Sequence, residues 1–97
     1  MAHIVGFIGQ KGGTGKSGTA QAFAVAAAKE AASVLLADLD TDQKTSVEWG
    51  RARAANGFEP QVLVKSVPRL RVFDLVANCD VLVIDAPGWA DELSVWL

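Results

Sequence analysis

An α/β fold, with a parallel β-sheet flanked by helices, is what this sequence predicts, on three observations. Short apolar runs that read as strands alternate with helical segments along the chain. A glycine-rich loop, Gly9 to Gly18, separates the first strand from the first helix. A later apolar run, Val81 to Ile84, ends on an acid, Asp85. Strands alternating with helices build parallel sheets, because each parallel connection must cross over through a helix.

Taken in order, Ile4 to Ile8 is an apolar run closed by Gly9 and reads as a buried strand. Ser17 to Ala31 is rich in alanine, with Ala20, Phe23, Ala24, Ala27 and Ala31 at helical spacing. The other positions are also small and mostly apolar, so this helix can lie close to a sheet and be covered on its outer side too. Val34 to Ala37 is the second strand and closes on Asp38-Leu39-Asp40. Thr45 with Glu48 has the form of a capping box, and Asn56-Gly57 supplies the stop of the helix between them. Gln61 to Lys65 reads as a third strand, and Pro68 suits the first turn of a helix running to about Cys79. Val81 to Ile84, uninterrupted and apolar, has the pattern of a central parallel strand covered on both faces.

Beyond it comes an amphipathic start in which Trp89, Leu93, Trp96 and Leu97 share one helical face. A sheet with its first strand near the middle needs further strands on the far side. Residues 1–97 therefore read as the N-terminal part of a domain, truncated after the Val81 to Ile84 strand. Such a chain is expected to be fragile, with an apolar sheet edge left open.

Composition narrows the function. The 97 residues are 51% hydrophobic and 21% charged, a globular profile with room for one domain at most. Nine Lys and Arg against eleven Asp and Glu give a net charge of −2, without the basic surplus usual in a nucleic-acid binder of this size. A single cysteine, Cys79, cannot form an internal disulfide, and with the single histidine, His3, it is too little for a zinc site. Cys79 reads as a small buried apolar residue and His3 as the mouth of the first strand. No basic stretch precedes an apolar one at the N-terminus, and no apolar run approaches the roughly 20 residues of a membrane helix. The chain reads as cytoplasmic, with no membrane segment.

The chemistry concentrates in three places. In Gly9-Gln10-Lys11-Gly12-Gly13-Thr14-Gly15-Lys16-Ser17-Gly18, glycines free the backbone to turn its N–H groups toward a polyphosphate. The following helix N-terminus adds partial positive charge. Lys16 is placed to reach the outer phosphates and the Ser17 hydroxyl to ligate Mg²⁺. The strict G-x-x-x-x-G-K-[ST] pattern fails at its first glycine, where Gln10 stands. The second place is the acidic strand end at Asp38 and Asp40. The third is Asp80-Val81-Leu82-Val83-Ile84-Asp85-Ala86-Pro87-Gly88, whose apolar strand delivers Asp85 to its C-terminal end. Asp85 can hold Mg²⁺ there, and Asp85 with Gly88 matches the D-x-x-G of nucleotide switches, whose glycine amide senses a γ-phosphate.

Lys11-Gly12-Gly13-Thr14-Gly15-Lys16-Ser17 resembles the deviant Walker A motif of the ParA/MinD family of P-loop ATPases. The resemblance implies a P-loop NTPase fold, binding of ATP with Mg²⁺ through Lys11, Gly12, Gly13, Thr14, Gly15, Lys16, Ser17 and Gly18, and a homodimer formed on ATP. It makes Lys11 the signature lysine that crosses to the partner's ATP, adding charge in the way of an arginine finger. The strand ending at Asp38-Leu39-Asp40 resembles the family's D-x-D-P-Q segment, which puts Asp38 near the Mg²⁺ and has Asp40 orient the attacking water. Thr41-Asp42-Gln43 stands where Pro-Gln is usual, so either Asp40 or Asp42 takes that role. Residues 80–88 are similar to the family's Walker B segment, with Asp85 toward the metal. Gly18 stands where Thr or Ser is usual.

Trp49, Arg51 and Arg53 resemble the matching stretch of short plasmid-partition ATPases, although an amphipathic helix explains them equally well. The implied role is an ATPase of plasmid or chromosome partitioning. Its implied partners are a centromere-binding protein and non-specific DNA. The alternatives are a nucleotide-binding module without turnover, and a MinD-like or conjugative-transfer relative.

Overall fold

The computed structural model describes residues 3–8, 16–30, 33–39 and 45–86. Strand β1 spans His3–Ile8, helix α1 Lys16–Glu30, strand β2 Val34–Asp38, helix α2 Thr45–Ala55 and strand β3 Leu63–Ser66. A 3₁₀ segment over Arg69–Asn78 then leads into strand β4, Val81–Ala86. The strands form one parallel sheet in the order β1-β4-β2-β3. The last strand thus enters between the first two, and β4 is hydrogen-bonded on both sides.

Strand alternation divides the core between two faces. Leu35, Ala37, Leu82, Ile84 and Ala86 pack under the 3₁₀ segment with Val67 and Val72. Val34, Leu36 and Val83 pack on the other face with Ala20 and Ala24 of α1 and with Val62. Both faces of β2 and β4 are covered, which is why their sequences run apolar without a break. The same alternation puts Asp38, in phase with Val34 and Leu36, on the helix-covered face. Asp85 joins it there, in phase with Val81 and Val83.

β1 is not the buried strand its composition predicts. It pairs only with β4 among the described residues, and Ile4 is 40% exposed. Phe7 is half-buried, its ring 5.7 Å from that of Phe23 on α1. The second cover expected over α1 is likewise not found among the described residues. Ala20 and Ala24 are fully buried against the sheet, whereas Thr19, Ala22 and Ala26 are exposed.

The capping box expected at the start of α2 involves the Thr45 side chain, which lies outside the described residues. The Glu48 carboxylate takes a hydrogen bond from Arg51 at 3.1 Å, one turn further along. The amides of Ser46 and Val47 are satisfied from the sheet, as described below. The stop at Asn56-Gly57 is as expected. Phe58 N–H reaches Arg53 O, Gly57 N–H reaches Ala54 O, and Gly57 has φ +68°, the geometry of a Schellman motif. Arg53 closes this turn. Its guanidinium lies 5.7 Å from the Trp49 ring and 5.9 Å from the Phe58 ring, and it donates twice to Pro60 O. Arg53 is therefore a structural clasp.

β3 starts and ends slightly later than the predicted Gln61 to Lys65. The helix predicted to have Pro68 in its first turn is present as 3₁₀ turns starting at Arg69, with Pro68 extended at the N-cap and its carbonyl taking Arg71 N–H at 2.9 Å. Its first turn has no side-chain cap. Val72 with Leu75, and Val76 with Cys79, meet the core at the three-residue spacing that a 3₁₀ turn superimposes. Cys79 is half-buried, as a packing residue, and its thiol is pushed up by burial and then by the Asp80 charge.

At the N-terminal ends of the strands, Ser33 and Asp80 exchange bonds. Ser33 N–H donates to Asp80 Oδ2 at 3.1 Å, and Asp80 N–H donates to Ser33 Oγ at 3.0 Å. His3 N–H adds a bond to Asp80 O, so β1, β2 and β4 are tied together at this edge. The opposite, C-terminal edge is where parallel sheets bind ligands.

Candidate functional site

Asp38 closes β2 and Asp85 is the penultimate residue of β4; the two are register partners on adjacent strands. Their side chains are almost wholly buried, at 1% and 2% exposure. Carboxylates so buried require partners. Asp38 Oδ2 accepts from the amides of Ser46 at 2.9 Å and Val47 at 3.2 Å. A negative charge thus sits on the N-terminus of α2, where orphan N–H groups and the helix dipole both favour it. The Ser46 hydroxyl donates to Asp85 Oδ2 at 2.7 Å and accepts from Gln21 Nε2 of α1 at 3.2 Å. Strands β2 and β4 and helices α1 and α2 are joined through this cluster.

β1 ends at the same edge, immediately before the loop expected to hold phosphate in the sequence. β1 ends at Ile8, in register with Ala86, the residue after Asp85. α1 begins at Lys16, with Ser17 and Gly18 next in its first turn. A Cβ placed on Gly18 would meet nothing within 4 Å, so this exposed position has room for the Thr or Ser that the family usually carries. Among the predicted site residues, the structure brings together Asp38 and Asp85 and puts Lys16, Ser17 and Gly18 at the start of α1. Lys11, Gly12, Gly13, Thr14, Gly15, Asp40 and Gly88, with the alternative Asp42, lie outside the described residues.

Ser46 and Gln21 were not legible as site residues. Ser46 reads as one polar residue of a helix start and Gln21 as one of a helix surface. Only helix packing brings Ser46 to the carboxylates and Gln21 to Ser46.

The donor set fits Mg²⁺. No group of three or more His, Cys, Asp or Glu side chains suited to a metal occurs among the described residues. Mg²⁺ does not need one, since it binds through one or two carboxylates together with substrate phosphates. The oxygens of Asp38 and Asp85 are hard donors of the right kind.

A family model described as the CobQ/CobB/MinD/ParA nucleotide binding domain matches residues 5–86, from β1 to the last residue of β4. The chain belongs to this family. As a CobQ/CobB/MinD/ParA nucleotide-binding domain it is an α/β module of the P-loop NTPase kind, in agreement with its parallel sheet. The match takes in Lys16, Ser17, Asp38 and Asp85. No curated protein matches the chain. Among the described residues, no helix is long and apolar enough to cross a membrane.

Proposed function

We propose that this nucleotide-binding domain binds MgATP at the glycine-rich loop and serves a ParA-like, cytoplasmic ATPase of plasmid or chromosome partitioning. The observation that carries the site is the pair Asp38 and Asp85, side by side at the sheet edge where α1 begins with Lys16 and Ser17. In this reading the amides of residues 11–18 and the Lys16 ammonium hold the phosphates. Ser17, Asp38 and Asp85 hold Mg²⁺, which when bound supplies neutralising charge to the β- and γ-phosphate oxygens. Asp40 or Asp42 orients the attacking water, and the Gly88 amide senses the γ-phosphate. Lys11 reaches the partner's ATP in a homodimer formed on nucleotide. A centromere-binding protein and non-specific DNA are the partners that go with this role.

Titration of the chain with a fluorescent ATP analogue, with and without Lys16→Ala, tests the binding site. Equal affinity in both proteins, or no binding by either at millimolar nucleotide, rejects it. Lys11→Ala tests the family-specific part. It is expected to keep nucleotide affinity and lose ATP-dependent dimerisation in light scattering, with phosphate release falling by about 10³–10⁵, the usual worth of a trans-acting cationic finger. A Lys11→Ala protein that dimerises and turns over normally leaves an ordinary P-loop nucleotide binder. Binding without phosphate release by the wild type identifies a module without turnover.

A further inference from the structure

We infer that Ser46 is a positioning residue for the metal side of the nucleotide site, holding Asp85 through its hydroxyl and Asp38 through its backbone amide. This rests on the reading of Asp38 and Asp85 as Mg²⁺ ligands. Ser46 is fully buried, in the first turn of α2, and touches both carboxylates. Its 2.7 Å bond to Asp85 Oδ2 is the short kind formed between a hydroxyl and a carboxylate. The hydroxyl has one proton to give, and Gln21 Nε2 donates to the same oxygen. That arrangement directs the Ser46 proton at Asp85.

Asp38 and Asp85 are register partners on adjacent strands, and Ser46 bonds to both. Ser46 fixes an oxygen of each, which sets the carboxylate planes before the cation arrives. Partners that orient metal ligands in this way commonly change metal affinity by about 10–100-fold when removed.

Mn²⁺ affinity in the presence of ADP, followed by electron paramagnetic resonance, and ADP affinity in excess chelator separate positioning from folding. Ser46→Ala is expected to weaken Mn²⁺ binding by about 10–100-fold. Metal-free ADP affinity should stay at the wild-type value, and Ser46→Thr, which restores the hydroxyl, should recover most of the loss. A merely structural serine would lower ADP affinity with and without metal alike, which overturns the inference. Ser46→Ala holding Mn²⁺ at wild-type strength while Asp85→Asn loses it overturns the inference and leaves the site reading standing. Should Ser46→Ala fail to fold, Gln21→Ala carries the test. It is expected to loosen Mn²⁺ in the same direction, and an unchanged affinity overturns the role. If the wild type binds no Mn²⁺ with ADP, or Asp85→Asn binds it unchanged, the site reading falls and this inference with it.

Discussion

Helix α2 carries Ser46 into the site, and its distance from the sheet is set by Gly50. A Cβ built on Gly50 would stand 2.6 Å from Val64 Cγ2 and 3.0 Å from Val64 Cβ. Carbon atoms pack best at about 3.5–4.0 Å, so Gly50→Ala falls short by roughly 1 Å. Val64 cannot swing clear, because its Cβ is fixed to strand β3 and its χ1 is stiff. The helix has to lift. Overpacking of this kind costs about 1–3 kcal/mol. Against it stands the helix propensity of alanine, about 1 kcal/mol better than glycine.

The net loss of stability is therefore about 0–2 kcal/mol, and its packing part can be isolated. Gly18→Ala, in α1, brings a similar propensity gain into space with nothing within 4 Å, and should stabilise by up to about 1 kcal/mol. The difference between the two variants, about 1–3 kcal/mol, reads the contact with Val64. Urea unfolding with an unchanged m-value measures both. Adding Val64→Ala to Gly50→Ala should return part of the loss, as interacting neighbours do in a double-mutant cycle. If Gly50→Ala stabilises as much as Gly18→Ala, α2 does not sit on β3 as described.

Arg53→Ala removes two ring contacts and both bonds to Pro60 O, and should lower stability by about 1–2 kcal/mol; Arg53→Lys should not restore it, because the planar fork is lost. Asp38→Ala, measured without nucleotide, leaves the Ser46 and Val47 amides without their acceptor and should cost about 1–2 kcal/mol, with Asp38→Asn milder; two variants as stable as the wild type would remove Asp38 as the cap of α2. The Cys79 thiol, raised by burial and the Asp80 charge, should alkylate more slowly in the native chain than in the unfolded one at pH 8, since less of it is thiolate. Its raised value also favours the fold below the thiol's unfolded pKa, and that contribution should fade as pH climbs through the folded value, visible as a fall in the unfolding midpoint at alkaline pH. A midpoint flat across that range would contradict the shift.

Local patterns decided much of this protein. The apolar runs at residues 34–37 and 81–84 carry enough burial to be strands in any packing. The Asn56-Gly57 stop follows from glycine's access to positive φ, and the glycine-rich loop ahead of Lys16-Ser17 points to a nucleotide-binding domain, the family that the chain matches. Asp38 and Asp85 could be singled out because each ends an apolar strand, where a carboxylate is out of place unless it has work to do.

Other features depended on what lies across space. Glu48, in the first turn of α2, bonds to Arg51, and a carboxylate from β2 takes the amides of Ser46 and Val47. A charge already fixed at the end of a buried strand loses little freedom in bonding, whereas an exposed glutamate must be ordered first. Ile4 to Ile8 is apolar enough for a core strand; with one neighbour among the described residues β1 has the open edge expected of it, and the depth of its burial is what the run does not encode. Arg53 closes the turn after α2, because Trp49, Phe58 and Pro60 gather around it only in the folded chain. Sequence alone determined the alternation of strands and helices, the loop and the two acids. Tertiary structure decided that the acids stand in register and that Ser46 and Gln21 close over them. Hydrogen bonds between residues 25 and 39 positions apart depend on helix packing, which no local pattern of residues expresses.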